Sequence, residues 1–527
     1  MSELKKTLVY AGTAATLVIA SAVATWPRSS APKDFDDQGQ VFFPDFTDPL
    51  AATALEIVDW DTATRSALPF KVMLENGAWV IPSHSDYPAD ARDRLARAAG
   101  GVITLKRDTI RSDRVEDHAD MGVLDPLDPK TTSETGVGKR ITLRDQANNT
   151  LADLIIGKDI AGREGMRYVR RPGQNRVYGA VVTAEPSSRF ADWIETNLLK
   201  LDSSRIRSVT FDNHRVDPVA KQIEYNEVFE IERPDASGTW SLEKAGKPAP
   251  LPEGKELDST KISDLVFALS DLKIAGVRPK PPGVQELLDA TKDPKEEQAI
   301  DVRTVQALAR RGFYLVRGEL LSNMGAVSAA TDEGIVYTLR FGEVTFAEGE
   351  ALSAGSKAED EEAKTPEKDK AKESEKGDLA SNPSKDAEKK SDGGGVESRY
   401  VFVTARFDPE LIAKPRETPP PGELPGDVFQ RTPAEREAAE KAEKERVERE
   451  KTEYQKKLDD GAKKAADLTK RFAPWYYLVP GDAYRKIILE EKSLVRDKGA
   501  APSPPVGGLP PSFPPPGGSG LPGIPHP

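Results

Sequence analysis

The chain has 527 residues, 37% of them hydrophobic and 31% charged, with 42 prolines and a formal net charge of −12. Length alone allows roughly three domains of ~150 residues, but so polar a composition is too lean for one continuous core, and part of the chain is expected not to fold. An acidic chain gains nothing from counterion release, which argues against nucleic acid as a partner. Cysteine is absent, which excludes disulfides, thiolate metal sites, a cysteine nucleophile and a lipid-modified N-terminal cysteine.

At the N-terminus, Lys5 and Lys6 precede an uncharged run from Thr7 to Trp26, about long enough to cross a ~30 Å hydrocarbon layer as a helix. We read residues 1–27 as an uncut transmembrane anchor, with a signal peptide cleaved near Ala22-Val23-Ala24 as the competing reading. The lysines hold the N-terminus in the cytoplasm, so everything after Arg28 is extracytoplasmic. The expected location is the cytoplasmic (inner) membrane, crossed once. Residues 28–50 are polar and proline-bearing and read as a tether.

The folded part is organised around Arg189-Phe190-Ala191-Asp192-Trp193, which returns as Arg471-Phe472-Ala473-Pro474-Trp475. We read each copy as the close of one module, giving a first module over 51–203 and a second that begins at 204. The first opens with an alternating strand, Leu55 to Trp60. A hairpin follows, Phe70 to Leu74 and Trp79 to Ile81, about Asn76-Gly77, a dipeptide suited to the positive φ of a type I′ turn. A helix is expected next, with Tyr87, Ala91, Leu95 and Ala98 on one face and Gly100 as its cap. The second module repeats the order: strand Ile206–Phe211, hairpin Val228–Ile231 with Trp240–Leu242, and a helix from Asp258-Ser259 carrying Ile262, Leu265, Val266, Leu269 and Leu272. Later strands match if Gly157 corresponds to Gly342 and Tyr168 to Tyr400. The fold class is then α+β: two tandem modules of mostly antiparallel β-hairpins covered by short helices.

The second module is interrupted. Its first part runs over 204–350, a charged insertion with too little apolar area to offset ordering entropy fills 351–398 and is expected to be disordered, and a returning strand occupies 399–413. Residues 414–431 form a proline-rich spacer. A charged helix over 432–470 is capped by Thr432-Pro433-Ala434-Glu435 and laced by i,i+4 pairs such as Glu437/Lys441 and Glu445/Arg449. Its apolar positions are sparse, so a lone solvated helix is favoured over a coiled coil, with Gly461 as a candidate interruption. The closing segment covers 471–496, and 497–527 is a proline and glycine tail expected to be disordered.

Few residues suggest chemistry. Asp113, Glu116, Asp117, His118 and Asp120 are the densest metal-capable group, but they lack calcium-loop spacing and a second histidine, so a solvated loop is favoured and no metal is assigned. His84 and His214 have no histidine beside them and read as satisfied or exposed. Glu134 to Lys139 imitates half a phosphate loop and reads as a hairpin turn. Trp193, Trp475, Tyr476 and Tyr477 are the candidate interaction aromatics, with packing as the favoured alternative. No catalytic residue and no cofactor is assigned.

The two-module layout, Tyr168-Val169-Arg170-Arg171-Pro172-Gly173, Arg189 to Trp193 and Asp117 to Pro126 resemble the family catalogued as domain of unknown function 4340, in its long, two-module form. The resemblance implies an N-terminal anchor, a mostly β extracytoplasmic region, and association with ABC-type transport systems of the gliding-motility kind. It brings no catalytic residues, and Pro474 stands where Asp192 stands in the first motif. The expected function is that of a non-enzymatic, membrane-anchored accessory protein that binds transporter-type membrane subunits. Binding of envelope polysaccharide and a carboxylate-dependent envelope hydrolase are the alternatives.

Overall fold

A computed structural model describes residue 21 and residues 37–499, apart from 63, 184, 218, 219, 221, 282, 285–301, 317, 318, 348, 355–394 and 416–431. Among the described residues no helix is long and apolar enough to cross a membrane. The anchor expected over 1–27 lies outside them, Ser21 excepted, as do most of the insertion and spacer and nearly all of the tail. The chain divides into two compact units, Met1–Gly77 with Ala91–Ser188, and Ala78–Asp90 with Arg189–Pro527.

The first unit carries β1 (Ala54–Asp61) and β2 (Ser66–Glu75). Asn76 and Gly77 at the end of β2 both have positive φ, 49° and 81°, as the expected turn requires. Residues 78–90 hold β3 (Ala78–Ile81) and β4 (Tyr87–Pro88) and group with the second unit. The chain continues through α1 (Arg92–Ile103), β5 (Ile110–Ser112), α2 (His118–Met121), β6 (Lys139–Arg144), β7 (Thr150–Asp159), β8 (Met166–Arg170) and β9 (Val177–Val181). Gly100 does not cap α1. It sits inside the helix, which ends at Ile103 with Thr104 as its cap, because Val102 still has a buried place to fill. Neighbouring strands lie in the order β2-β1-β6-β7-β8-β9-β5, antiparallel throughout.

The tether expected over 28–50 is shorter than read. Phe42, Phe43 and Phe46 are buried, the Phe42 N–H donates to Leu105 O and the Gly39 N–H to Arg107 O. Three phenylalanines bury too much apolar surface to be left in water, so the first unit begins by Asp37.

The second unit repeats the route. It carries β10 (Ile206–Asp212), β11 (Arg215–Asp217), β12 (Gln222–Glu224), β13 (Val228–Glu232), β14 (Ser241–Lys244), β15 (Lys247–Pro248), β16 (Lys255–Leu257), α3 (Ser259–Ser270) and β17 (Gly276–Pro279). Then come α4 (Val302–Ala309), β18 (Phe313–Val316), β19 (Glu319–Ser322), β20 (Ala326–Thr331), β21 (Ile335–Ala347), α5 (Gly349–Ser353) and β22 (Val396–Phe407). The close is α6 (Pro433–Phe472), β23 (Trp475–Pro480), α7 (Gly481–Ile487) and β24 (Val495–Asp497). Its sheet runs β15-β14-β13-β10-β20-β21-β22-β23-β17. The stretch β13-β10-β20-β21-β22-β23-β17 follows the order of the first unit's seven strands: two strands side by side, a helix, a strand at the far edge, then a four-strand meander that closes the gap. Asp258 caps α3 by accepting from the Thr260 and Lys261 N–H groups, and Ile262, Leu265, Ala268 and Leu269 face inward. The insertion leaves the β21–β22 hairpin beyond the pair Ala347↔Val396.

The motif that announced the modules is not equivalent in its two copies. Phe190–Trp193 is a turn of 3-10 helix after β9, whereas Phe472 ends α6 and Trp475 opens β23, the strand in the place of β9. The break between units falls at Ser188, so the first copy belongs to the second unit. Phe and Trp three residues apart bury together at either kind of turn, which is why the spacing recurs without a shared position.

Candidate functional site

The place common to both units is a bulge. In the first, pairing of β7 with β8 shifts register between Ile156 and Asp159. In the second, β21 with β22 shifts between Phe341 and Val344. Each bulge holds a glycine against a crossing backbone: a Cβ on Gly157 would lie 2.4 Å from Met121 O, and one on Gly342 would lie 2.1 Å from Arg311 O. The crossing segment turns at Gly122 and Gly312, with φ of 71° and 81°, a region glycine enters without steric cost. An arginine of the partner strand secures each bulge. Arg167 Nε donates to Gly157 O at 2.8 Å, and Arg399 Nη1 donates to Gly342 O at 2.8 Å.

Beyond the bulge the units differ. In the first, β7 and β8 pair Ile155 with Arg170. Arg170 is 7% exposed, and its guanidinium donates from Nε and Nη2 to Val123 O at 2.9 and 2.8 Å. Carboxylates stand nearby: Arg140 meets Asp125 at 3.0 Å and Asp153 at 2.7 Å, and Asp125 favours the charged form of Arg170 that burial opposes.

In the second, β21 and β22 pair Arg340 with Phe402. Arg340 Nε donates to Leu320 O at 2.8 Å. Lys280 places its ammonium 3.5 Å from the centre of the Phe402 ring and donates to Phe472 O at 3.0 Å. Burial first, and the like charge of Arg340 second, pull its pKa down to about 7. Arg311 lies over the Tyr400 and Tyr476 rings, 5.8 and 5.2 Å from their centres. Phe313 stacks on Tyr476 at 5.6 Å.

The four aromatics proposed for interaction are core residues. Trp193, Trp475, Tyr476 and Tyr477 are 3%, 8%, 0% and 0% exposed, which leaves no face for a sugar ring. Trp475 meets Tyr87 edge-on at 5.0 Å, and Tyr477 donates to Arg471 O. The metal-capable loop is spoken for as well. Asp113 binds Arg176, Asp117 accepts from Ser112 Oγ, and the buried His118 donates from Nε2 to Asn175 O at 2.8 Å. Among the described residues no group of side chains is placed to hold a metal. Lys139, the lysine of the half phosphate loop, pairs with Glu185 at 2.8 Å. His84 is buried, stacks on Phe190 at 4.2 Å and lies within 2.8 Å of Ser353 Oγ. Burial, with Arg278 second, lowers its pKa to about 4.

One arrangement escaped sequence reasoning. His214 Nδ1 lies 3.0 Å from Asp212 Oδ1, and its Nε2 accepts from the backbone N–H of Ser322 at 3.2 Å. The residue types are those of a hydrolase triad, but the Ser322 hydroxyl donates to Gly325 O at 2.6 Å. A base must reach the proton of its nucleophile, and here the imidazole lone pair already holds a peptide N–H. Ser322, 0% exposed, ties a turn. Asp212 and His214 are two residues apart and visible in sequence; Ser322 is brought in by the β11 and β19 hairpins and is not.

The charged helix is α6, 40 residues long, about 60 Å. Thr432 and Glu435 form the expected capping box. Gly461 does not interrupt it: a Cβ there would lie 2.6 Å from Glu333 O and from the Phe407 ring, so glycine lets the helix press onto the sheet. Ala465, Leu468 and Phe472 continue that buried stripe. Beside it lies a cleft of about 710 Å³ lined by Arg205, Arg207, Asp332, Glu333 and Lys464 among others, whose charges largely pair with one another.

Residues 79–298 match the family described as Domain of unknown function (DUF4340). No curated protein and no solved structure matches the chain.

Proposed function

We propose that this is a non-enzymatic protein, anchored in the inner membrane by residues 1–27 with its bulk outside the cytoplasm, that acts by binding other proteins as an accessory component of an ABC-type transport system of the gliding-motility kind. The setting rests on the uncharged run from Thr7 to Trp26 and on what the resemblance to the domain of unknown function 4340 family implies. We read the two units as tandem copies of one module, on the shared strand order and the shared glycine–arginine bulge. The observation that carries the binding reading is α6, whose buried stripe faces its own sheet while exposed charges such as Lys441, Lys444, Lys451 and Lys456 cover the rest. That charged outer face is the part of the helix a partner of complementary charge would meet. Nothing in the buried aromatics favours a glycan, and the Asp212–His214–Ser322 set works as a brace.

The test is affinity capture of the full chain from solubilised membranes of its own organism. Recovery of transporter-type membrane subunits is expected; repeated recovery of none would overturn the reading.

A further inference from the structure

The second unit's sheet leaves a stretch of strand edge bare. β21 is 13 residues long, but β20 accompanies it only from Val336 to Arg340. Phe341 and Glu343 then donate their N–H groups to Gly325 O and Arg311 O. Past Glu343, among the described residues, no strand and no backbone hydrogen bond meets β21 on that side. α5, which follows, turns the other way: Leu352 O accepts from Arg278 Nη1 at 3.1 Å, on β17 at the far edge of the sheet. The bare stretch is Val344-Thr345-Phe346-Ala347, held extended by β22 through the pairs Val344↔Arg399 to Ala347↔Val396. Val344 and Phe346 share its outer face and are 37% and 54% exposed, whereas Thr345 and Ala347 are half-buried. Such an edge, apolar and with unpaired N–H and C=O groups, is a template for another strand.

We propose that two copies of the chain pair along this edge, β21 antiparallel to β21 about a two-fold axis at Thr345, joining their sheets into one. The stretch is complementary to itself. The axis sets Thr345 against Thr345, Val344 against Phe346 and Glu343 against Ala347 of the second copy, so no like charges are opposed and an aromatic ring meets a β-branched side chain twice. So short an edge buries less than the about 1,200–2,000 Å² of a stable interface, which makes the dimer weak, with a Kd of roughly 1–100 μM. The pairing stands whether or not the chain joins a transporter.

The chain has no cysteine, so single cysteines report contacts between copies without background. Full chains in detergent carrying Val344→Cys or Phe346→Cys are oxidised alone and as a mixture. Across an antiparallel pair, opposed Cβ atoms lie about 5 Å apart and diagonal ones about 7 Å, and only the former are near the about 4 Å of a disulfide. The mixture should therefore give linked dimer at least about threefold above either variant alone. Sedimentation of the unaltered chain should show a dimer that grows with concentration. Phe346→Lys should weaken it at least about tenfold, while Val181→Lys, at an exposed position of the first unit, should leave it unchanged. Thermal melting checks that Phe346→Lys keeps its fold. A chain that stays monomeric up to about 100 μM, a dimer indifferent to Phe346→Lys, or single variants that link as well as the mixture would each overturn the proposal.

Discussion

The two units place a mixed pair at the same point and fill it from opposite sides. Next to its bulge the first unit pairs Ile155 on β7 with Arg170 on β8; the second pairs Arg340 on β21 with Phe402 on β22. In both, the arginine donates to a backbone carbonyl outside its own sheet, Val123 O just after the turn at Gly122, or Leu320 O on β19. What the position demands is one buried donor to meet an orphan carbonyl and one apolar neighbour, and either strand can supply either. The surroundings then diverge: carboxylates form ion pairs with Arg140 in the first unit, whereas aromatic rings face Lys280 and Arg311 in the second.

The sharpest way to break this comparison is at the glycines. Gly157→Ala and Gly342→Ala each push a methyl into a backbone carbonyl that cannot swing aside, and each should cost about 2–4 kcal/mol, read from the denaturant midpoint. A neutral result at one of them alone would show that the two bulges are not equivalent locks. Next come the arginines that secure them. Arg167→Ala and Arg399→Ala strip a charged donor from a bulge carbonyl and should each cost about 1–3 kcal/mol. Arg167 is further tied to Glu185, so its loss should be felt at low salt slightly more than that of Arg399.

Titration probes the second unit, which holds both Lys280 and His84. Lys280 has a folded pKa near 7 against an unfolded value of 10.5. Between those values the unfolded chain binds more protons, so stability should rise as pH rises from about 7 toward 10. Lys280→Met should flatten that slope, and thermal melts across the window would show it. His84 works at lower pH with the same sign: its folded pKa is about 4 against 6.5, so stability should rise between those values and His84→Gln should remove the rise. The smallest effect is expected at the first aromatic motif, where exposed Arg189 pairs with Asp192 at 2.8 Å. Arg189→Ala should cost at most about 0.5 kcal/mol, although its neighbours Phe190 and Trp193 are buried.

Local signals were legible. Asn76-Gly77, the Asp258 cap and the Thr432–Glu435 box each depend on a few adjacent residues, and each was readable in the chain. Positions set by distant contacts were not. Gly461 reads as a helix breaker because sequence does not reveal Glu333 O beneath it. Phe42, Phe43 and Phe46 hide in a proline-bearing stretch that looks like a tether. The repeated Arg-Phe-Ala-x-Trp pointed to a duplication, yet its copies occupy different places in the strand order. As for the site, the aromatics were visible and their burial was not, and the cations Lys280, Arg311 and Arg340 come from three distant stretches with no shared pattern.

The most direct test of the proposed role is cross-linking of the intact chain in native membranes, followed by mass spectrometry of the linked peptides. Exposed lysines of α6, Lys441 to Lys456, should link to subunits of a membrane transporter. Links confined to the chain itself, across repeated preparations, would contradict it.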